Sequence, residues 1–412
     1  MKKWYLQNMI LGLGIGFLCF GCQEIRMKNR PFSTVSLDSI TVIPVEEDKF
    51  EIIKVTNNIK EPVPSSELIE EFHYVPLETT DESLFAYCTN IGFYDNKIYA
   101  FDRLGTEKLY IFDNKGKFLK ALGEKGGAPF EFYLPKAFAI DTKQQQIVIY
   151  DNQKRKWMKF SLDGNYIASH DVPFRIGRNF QILPNGEYVT ATDKGDRNNH
   201  LGQYSEYKIL YTDSLGHLKK AACTYSETVH SSLGYDPLSR KRDEILYTPM
   251  YLNEVYTVTD TALYMRYKFD YSDFTPFEKN KMGTFESYDD FNNYLLAHTY
   301  LFIYAENDTH ILFVTCDKQD RRFVSFYDKR SKKTVNTAGF YYDTDFSMEF
   351  SSGIYSYNDY FVALVPPTTL KGLKQHIDEI THYSAKEENM RLFENIKEDD
   401  NLVLVFFKIK NL

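Results

Sequence analysis

The chain has few cysteines and no motif with metal-binding spacing. Five cysteines occur in 412 residues, and the three beyond the N-terminal region, Cys88, Cys223 and Cys316, lie far apart. They cannot all pair, and none belongs to a CxxC motif that would indicate a zinc or redox site. The nine histidines are scattered and form no HExxH motif. We therefore predict no metal site and expect the three cysteines to be small buried residues in strands.

An excess of positive charge and a second long apolar run are also missing. The chain has 49 Lys and Arg against 57 Asp and Glu, which gives a formal net charge of −8. Binding to nucleic acid generally needs an excess of Lys and Arg, so we exclude nucleic acid as a general partner. After residue 20 there is no apolar run of the roughly 18 residues that a membrane span requires. Contact with a membrane is therefore expected through the N-terminus alone.

The N-terminal residues have the pattern of a secretory signal. Lys2 and Lys3 are followed by an apolar run over residues 9–20, and Gly21 precedes Cys22. A run of about a dozen apolar residues is too short to cross a bilayer, and the small residue after it indicates cleavage. A cysteine directly after that small residue is the position at which bacterial lipoproteins are cut and acylated. We predict a signal peptide at residues 1–21, a lipid on Cys22, and a tether with an N-terminal extension at residues 22–66. Ordinary cleavage nearby is the alternative.

Three aspartates at equal spacing indicate a repeat. Asp113, Asp163 and Asp213 each end a strand-like run and precede a turn with glycine, at intervals of 50 residues. A period of this size, made of short strands without a helical stripe, is typical of a β-propeller, in which each blade is one small antiparallel sheet.

Further strand-like runs extend the repeat to the end of the chain. In the first three repeats another run precedes the aspartate strand, at residues 97–102, 146–151 and 187–191. Tyr264–Asp270 and Phe323–Asp328 are interpreted as the corresponding strands of a fourth and a fifth blade, at a period lengthened by insertions. A sixth blade is assembled from residues 360–365 and 402–409.

The last blade is predicted to hold a helix and to close the ring. Residues 371–397 interrupt it, and Leu370, Leu373 and Ile377 recur there at helical intervals. The blade lacks an outer strand after Leu412, and residues 72–77 can supply one, which hides two strand edges. The predicted fold is all-β: a six-bladed β-propeller of four-stranded antiparallel blades over residues 67–412, closed by an N-terminal strand, with a short helical insert in the last blade.

Three motifs carry a resemblance to a known family. They are Tyr74–Thr79, Gly123–Phe132 and Asp400–Phe406. With them the chain resembles the six-bladed β-propeller lipoproteins of glycan-foraging Gram-negative anaerobes, which are related to NHL-repeat propellers. The family usually has glycine where Ala128 and Phe130 stand, so this chain departs from the pattern there. The resemblance implies, as partner, a glycan or a protein of a nutrient-uptake system. Gln23 after Cys22 does not look like an inner-membrane retention signal, which favours the outer membrane.

The glycine-rich motif within residues 123–132 is interpreted as a turn. Neither a Lys-Ser/Thr pair nor a helix follows its glycines, so it lacks the features of a phosphate-binding loop. Glycine and Pro129 allow a sharp turn from the outer strand of one blade to the inner strand of the next. We predict no cofactor.

Basic residues lie in the loops between the two visible strands of several blades. Arginine can hold a carboxylate or sulfate with two hydrogen bonds, and tryptophan offers a flat surface to a sugar ring. If these loops open on one face, an acidic protein carries a basic mouth there. The candidate ligand-binding residues are Arg103, Arg155, Trp157, Arg197, His200, Arg321 and Arg322. The alternative is that turns are charged because they are solvated, with Asp102, Asp151, Asp193 and Asp320 cancelling the field.

Two functions of different classes follow. The favoured hypothesis is a non-catalytic ligand-binding or scaffolding lipoprotein of the outer membrane, which engages a carbohydrate, in particular an anionic one, or a partner protein through the loop face. The alternative is a polysaccharide lyase or hydrolase with its site at the channel mouth, where His200 is the first candidate base. We expect a monomer. A run of acidic residues after Cys22 would indicate export to the cell surface. Here Glu24 stands alone before Arg26 and Lys28, which favours the periplasmic side.

Overall fold

The fold is the predicted all-β propeller, seen in a computed structural model of the chain. Six four-stranded antiparallel blades form it. The predicted signal peptide and Cys22 lie outside the described residues. No helix in the described part is long and apolar enough to cross a membrane. The structure describes residues 32, 35–225, 236–348, 353–379 and 386–412.

An N-terminal segment runs along the outside of three blades before it joins the ring. We call residues 41–64 the belt. The elements of this region are β1 (Thr41–Val42), β2 (Val45–Glu46), β3 (Glu51–Lys54), β4 (Val63–Pro64), helix α1 (Ser65–Leu68) and β5 (Ile69–Pro76).

Blades one and two are plain four-stranded meanders. From the channel outward, the strands of blade one are β6 (Asn90–Tyr94), β7 (Lys97–Asp102), β8 (Lys108–Asp113) and β9 (Phe118–Leu122). Those of blade two are β10 (Pro135–Asp141), β11 (Gln146–Asp151), β12 (Lys156–Ser161) and β13 (Tyr166–Asp171). The strand pairs expected from the sequence are the second and third strands of these two blades.

Blades three and four carry the belt on their outer edges. Blade three consists of β14 (Phe180–Ile182), β15 (Tyr188–Ala191), β16 (Tyr207–Thr212) and β17 (Leu218–Thr224), with 3₁₀ helices Lys194–Asp196 and Asn199–Glu206 before β16. Blade four consists of β18 (Leu238–Lys241), β19 (Glu244–Tyr247), β20 (Glu254–Val258) and β21 (Leu263–Asp270). In the belt, β1 pairs in parallel with β17, and β2 and β3 pair in parallel with β21.

A helical insertion separates blade four from blade five. It holds the 3₁₀ helix Lys279–Lys281 and helix α2 (Tyr288–Ala297). Blade five consists of β22 (Tyr300–Glu306), β23 (His310–Asp317), β24 (Arg321–Asp328) and β25 (Thr334–Thr337), with a 3₁₀ helix at Lys318–Asp320. After it, β26 (Phe340–Tyr341) pairs in parallel with β4 of the belt.

Blade six closes the ring in the predicted way. Its strands from the channel outward are β27 (Ile354–Tyr357), β28 (Tyr360–Val365), β29 (Val403–Ile409) and β5. The outer strand therefore comes from the N-terminal side of the chain and the third strand from the C-terminal end. The expected helical insert lies between β28 and β29 as α3 (Pro367–Glu379) and α4 (Glu387–Asn395).

The interpretation of blade four from sequence was wrong in one respect. Tyr264–Asp270 is in the outer strand, β21, and the counterpart of the Asp113 strand is β20. The outer strand was mistaken for the third because it alternates apolar and polar residues more regularly. This pattern indicates a strand but not its position within the blade. The extra length before blade five lies in the insertion with α2, not within a blade.

The equal spacing of the three aspartates is also not the structural period. The carboxylates of Asp113 and Asp213 each accept hydrogen bonds from two amides of the turn that follows. In blade two Ser161 takes this position, and its hydroxyl accepts a hydrogen bond from the amide of Asn165. Asp163 lies two residues further on and forms an ion pair with Lys97 at 2.9 Å. Blade two therefore uses a serine where blades one and three use an aspartate.

The core consists of apolar clusters between neighbouring blades. The cluster between blades two and three includes Trp157, Phe180 and Tyr188 from facing sheets. Similar clusters lie at the other five junctions, and another packs α2 against the loops of blades four and five. Fully burying one such large apolar side chain contributes about 1.5–3 kcal/mol. Stability is therefore spread round the ring.

Gly116 provides a test of how blade one packs against the closing strand. It has a φ of +83°, and an added Cβ would lie 2.0 Å from the carbonyl oxygen of Pro76 in β5. Gly186 has a similar φ of +94° but open space around it. We expect Gly116→Ala to lower the free energy of unfolding by about 1–3 kcal/mol more than Gly186→Ala, because only the former adds a steric clash to the backbone strain. Urea unfolding measures both, and equal losses would contradict this packing.

Candidate functional site

One face of the ring gathers the loops that the sequence singled out. Strands alternate in direction within each antiparallel blade. The loop from the second to the third strand therefore opens on the same face as the connection from the outer strand to the next blade. We call this side the loop face. The inner strands β6, β10 and β14 all begin at this face, around the mouth of the central channel.

A hydrogen bond spans the channel mouth. Asn90 is the first residue of β6 in blade one, and Asp236 precedes β18 in blade four. Blades one and four are opposite each other in a ring of six, yet the Asn90 side-chain amide donates to the Asp236 carboxylate at 2.7 Å. The mouth is therefore narrow enough for polar side chains of opposite blades to act on one ligand.

Three cations from successive blades lie around Asp236. They are Arg103 from the β7–β8 loop, Lys136 from β10, and Arg178, which precedes β14. Burial raises the pKa of Asp236, and the Asn90 hydrogen bond and the three cations act against that rise. Burial, reinforced by the charge of Arg103, lowers the pKa of Lys136. Each group thus senses the others across the mouth.

Only one of these cations has an ion-pair partner among the described residues. Arg178 donates to Asp193 at 2.8 Å. The side chains of Arg103 and Lys136 make no hydrogen bond or ion pair with any residue that the structure describes. Two partly buried positive groups therefore lie at the channel mouth with no direct ion pair to a described residue, although Asp236 is close enough to act on both.

A second acid stands beside the mouth. The carboxylate of Asp196 accepts hydrogen bonds from the amides of Asp193 and Gly177, at 2.7 and 2.8 Å. Burial raises its pKa to about 6. Asp196 thereby ties the loop of blade three to the segment that carries Arg178. We call Asn90, Arg103, Lys136, Arg178, Asp196 and Asp236 the mouth cluster.

A polar pocket of about 190 Å³ adjoins the mouth cluster on blade three. Thr192, Lys194, Tyr204 and Tyr225 are among its lining residues. The hydroxyls of Thr192 and Tyr225 lie 2.8 Å apart, and the Lys194 ammonium is 5.8 Å from the centre of the Tyr225 ring. Hydroxyl, amide and ammonium groups in one concave site can bind a small polyhydroxylated group.

The structure places the predicted binding residues in different environments. Arg103 lies in the mouth cluster. Arg155 is buried and adopts a left-handed backbone conformation with a φ of 52°. The prediction for Trp157 was wrong, because its ring is 0% exposed and packs against Tyr150, Phe180 and Tyr188. It belongs to the core between blades two and three and offers no face to a sugar.

The remaining predicted residues do not join the mouth cluster. Arg321 is paired with Asp317 at 2.5 Å, and Arg322 is paired with Asp320 at 3.1 Å. Arg197 is exposed at the end of a 3₁₀ turn. The basic loops therefore do not merge into one uniform positive surface.

His200, the first candidate for a catalytic base, also lies outside the mouth cluster. Its Nε2 lies 2.5 Å from the carbonyl oxygen of Pro173. Burial lowers its pKa, and the charges of Arg155 and Arg175 add to this effect. These arginines, rather than the mouth cluster, are its charged neighbours.

Two of the aspartates expected to cancel the basic charge serve the backbone instead. Asp102 is fully buried and accepts hydrogen bonds from the amides of Ala86, Gly105 and Thr106. Asp151 is likewise buried and accepts bonds from four loop amides, including that of Tyr133. Their charge organises the loops and does not face a ligand.

Sequence reasoning missed most of the mouth cluster. Lys136 and Asn90 lie at the start of inner strands, and these strands were not identified because only two strands per blade were visible. The exposed aromatic residues of the loop face were missed too. Tyr87 is 60% exposed, Phe130 49% and Tyr133 39%. The available signal was the position itself, since Asn90 is the first residue of the inner strand of blade one and Lys136 is the second residue of that of blade two.

Asp196 gives the loop face a specific pH dependence. A carboxyl whose pKa is about 6 in the folded chain binds its proton more tightly than in the unfolded chain. Its contribution to stability is therefore present at low pH and is lost as pH rises from about 4 to 6. We expect Asp196→Asn to flatten this part of the curve of unfolding free energy against pH, measured by urea unfolding. Asp38→Asn, at an exposed position, should leave the slope unchanged. An unaltered slope in Asp196→Asn would show that this carboxyl does not titrate there.

Known structures share this architecture. A protein from Bacteroides fragilis that carries the description of an exported protein superimposes with a TM-score of 0.70 at 18% identity, over 88% of this chain and all of its own. A member of the DUF4221 family from Bacteroides vulgatus superimposes with a TM-score of 0.51 at 11% identity, over 84% of this chain and 98% of its own. At these identities the likeness shows the fold alone. No curated protein matches the sequence.

The family itself is shown by the sequence. The profile of a domain of unknown function, DUF4934, matches residues 50–408. This range includes most of the belt, all six blades and the whole mouth cluster. The chain therefore belongs to the DUF4934 family.

Proposed function

We propose that the protein is a non-catalytic binding protein of the cell envelope and that it holds an acidic carbohydrate at the channel mouth. The observation that carries the proposal is the pair Arg103 and Lys136, whose side chains make no hydrogen bond or ion pair with any described residue and lie near Asp236. An anionic group placed between them would offset the cost of holding two cations close together. Arginine and lysine also form short, strong hydrogen bonds to carboxylate and sulfate.

The surroundings of the two cations suit a sugar better than a simple anion. The mouth cluster contains donors and acceptors side by side, with Asn90 and Asp236 at its centre. Sugar hydroxyls both donate and accept, so they match such a mixture. Tyr87 and Tyr133 are exposed on the same face and present flat apolar surfaces to a ring.

A place in the cell envelope rests on two independent supports. One is the predicted signal peptide with its following Cys22. The other is the description of the Bacteroides fragilis protein, whose fold is shared, as exported. Attachment to the outer membrane through a lipid on Cys22, with the propeller on the periplasmic side, is part of the proposal.

A hydrolase or lyase at the same mouth is the second candidate. It is favoured by the raised pKa of Asp236, whose carboxylate lies at the channel mouth beside Asn90. A carboxyl that keeps its proton to a higher pH can act as a general acid. Release of oligosaccharide that stops in Asp236→Asn would establish this candidate, and binding without release would reject it.

Exchange of the two cations tests the binding proposal. The double variant Arg103→Gln, Lys136→Gln should bind acidic glycans at least about tenfold more weakly, since each hydrogen bond to a charged group contributes roughly 1.5–3 kcal/mol. Binding by the unchanged protein should also weaken with salt. Titration against glucuronic and galacturonic acid oligomers and their neutral counterparts measures both effects.

The matched control is Lys115→Gln, an exposed lysine in the β8–β9 turn on the opposite face. It should bind like the unchanged protein. Equal affinity of the double variant and the control for acidic glycans would contradict the proposal. Binding to no glycan at all would favour a protein partner instead.

The envelope proposal has its own test. In the cells that make the protein, labelled fatty acid should be incorporated into the chain, and Cys22→Ser should abolish the label because the acylated thiol is gone. Cys88→Ser serves as the control. Label that persists in Cys22→Ser would reject the anchor, and a labelled chain that separates with the inner membrane would reject the outer-membrane location.

A further inference from the structure

The polar pocket on blade three has a buried floor and an exposed rim. Thr192, Asn198 and Tyr204 form the floor and are each at most 8% exposed, whereas Lys194 and Asn199 are exposed on the rim. The side-chain amide of Asn199 makes no hydrogen bond with any residue that the structure describes. A cavity of about 150 Å³ can take up a benzene ring. The volume of about 190 Å³ therefore has room for one six-membered sugar ring. We call this site the blade-three pocket.

A single wall separates the blade-three pocket from the mouth cluster. Asp193 lines the pocket, and its carboxylate accepts a hydrogen bond from Arg178 of the mouth cluster at 2.8 Å. The amide of Asp193 donates to the carboxylate of Asp196 at 2.7 Å. One residue thus faces the pocket and holds two members of the mouth cluster.

A smaller cavity lies between the two sites. It has a volume of about 70 Å³ and reaches Arg178 of the mouth cluster and Pro237, which follows Asp236 in the chain. It shares four wall residues with the blade-three pocket: Thr192, Asp193, Lys194 and Tyr225. Adjacent units of one ligand chain can therefore lie in the pocket and at the mouth at the same time.

The two sites differ in charge. Among the described residues that line the blade-three pocket, Asp193 and Glu206 are acidic and Lys194 is basic. The Lys194 ammonium lies 4.0 Å from the Glu206 carboxylate, so its charge is already matched. The mouth cluster has three cations against two carboxylates. An anionic group is therefore favoured at the mouth and disfavoured in the pocket, because like charges brought together cost binding energy.

We infer that the blade-three pocket binds one uncharged sugar unit, next to an acidic unit held by the mouth cluster. The ligand is then an acidic polysaccharide in which acidic and uncharged units alternate. This inference rests on the proposed glycan binding and adds the order of the units to it. The hydroxyls of Thr192 and Tyr225 and the amide of Asn199 match sugar hydroxyls, which both donate and accept hydrogen bonds. A second acidic unit in the pocket would be repelled by Asp193 and Glu206.

Titration with defined tetrasaccharides tests the inference, on the whole chain without its predicted signal peptide. In one series glucuronic acid alternates with N-acetylglucosamine or with N-acetylgalactosamine, and in the other all four units are glucuronic acid. We expect at least one alternating tetrasaccharide to bind about tenfold more tightly than the glucuronic acid tetramer, because only an uncharged unit fits the pocket. Residues 226–235, which lie outside the described part, are present in this chain. Should they fill the pocket, the alternating compounds gain nothing and the inference is wrong.

Two substitutions locate the uncharged unit. Asn199→Ala together with Tyr225→Phe removes an amide and a hydroxyl from the pocket and keeps the aromatic ring. This variant should bind the alternating tetrasaccharide about tenfold more weakly, roughly the loss of two neutral hydrogen bonds, and the glucuronic acid tetramer as before. The matched control is Asn114→Ala together with Tyr264→Phe, at exposed positions in the β8–β9 turn and on β21. It should change neither affinity, and thermal unfolding verifies that both variants fold.

The outcomes separate this inference from the proposed function. Equal affinity of the unchanged protein for the two series would overturn the inference and leave acidic glycan binding at the mouth intact. An unchanged affinity of the pocket variant for the alternating tetrasaccharide would overturn it as well. If neither series binds, the proposed function fails and this inference fails with it.

Discussion

The pairing of β29 with β5 is the interaction on which the rest of the structure depends. It joins the C-terminal end of the chain, from Val403 to Ile409, to a strand that precedes all the other blades in sequence. Without it, blade six would lack an outer strand and the ring would not be held closed. Closure fixes the width of the channel, and only in a closed ring can Asn90 of blade one reach Asp236 next to blade four. The mouth cluster is therefore a product of tertiary closure and not of any local motif.

Charged side chains have different partners on the two faces of the propeller. On the face opposite the loop face, the buried carboxylate of Glu306 accepts hydrogen bonds from Arg266, Tyr304 and Lys329, so charges are matched within the protein. On the loop face, the buried carboxylates of Asp102 and Asp151 accept hydrogen bonds from backbone amides. The side chains of Arg103 and Lys136 form no ion pair with a described residue. Near the mouth, two buried acids thus serve the backbone, and three cations of the mouth cluster stand against the two carboxylates of Asp196 and Asp236.

The sequence predicted the architecture well because a propeller repeats its signal. Second and third strands are buried on both faces, so runs such as residues 97–102 and 146–151 stand out as strands. The closing strand was found from the need to cover edges. Outer strands are only half buried, so their pattern is ambiguous, and Tyr264–Asp270 was assigned the wrong rank for that reason.

The site was less accessible to sequence reasoning, for a physical reason. Its residues come from blades one to four and meet only across the channel, so no linear spacing connects Arg103 with Lys136 or Asp236. Trp157 was misjudged because an aromatic residue next to basic ones has the same sequence pattern whether it faces a ligand or the neighbouring blade. Its alternation with Lys156 and Met158 cannot distinguish these cases, since both sides of a central propeller strand are buried. Only the structure shows that the Trp157 ring is buried.

The belt connects the closing strand β5 to the outer edges of three other blades. It leads into β5 and covers blades three to five on the way, so the segment that precedes the closing strand also protects the outer edges of half the blades. In each outer strand except that of blade five, one residue is skipped in the pairing with the third strand, which forms a bulge. The skipped residue is charged in blades three, four and six, and a charge at an outer edge discourages the addition of further strands. Main-chain pairing with the belt and a charged bulge thus act together on the outer edges of blades three and four.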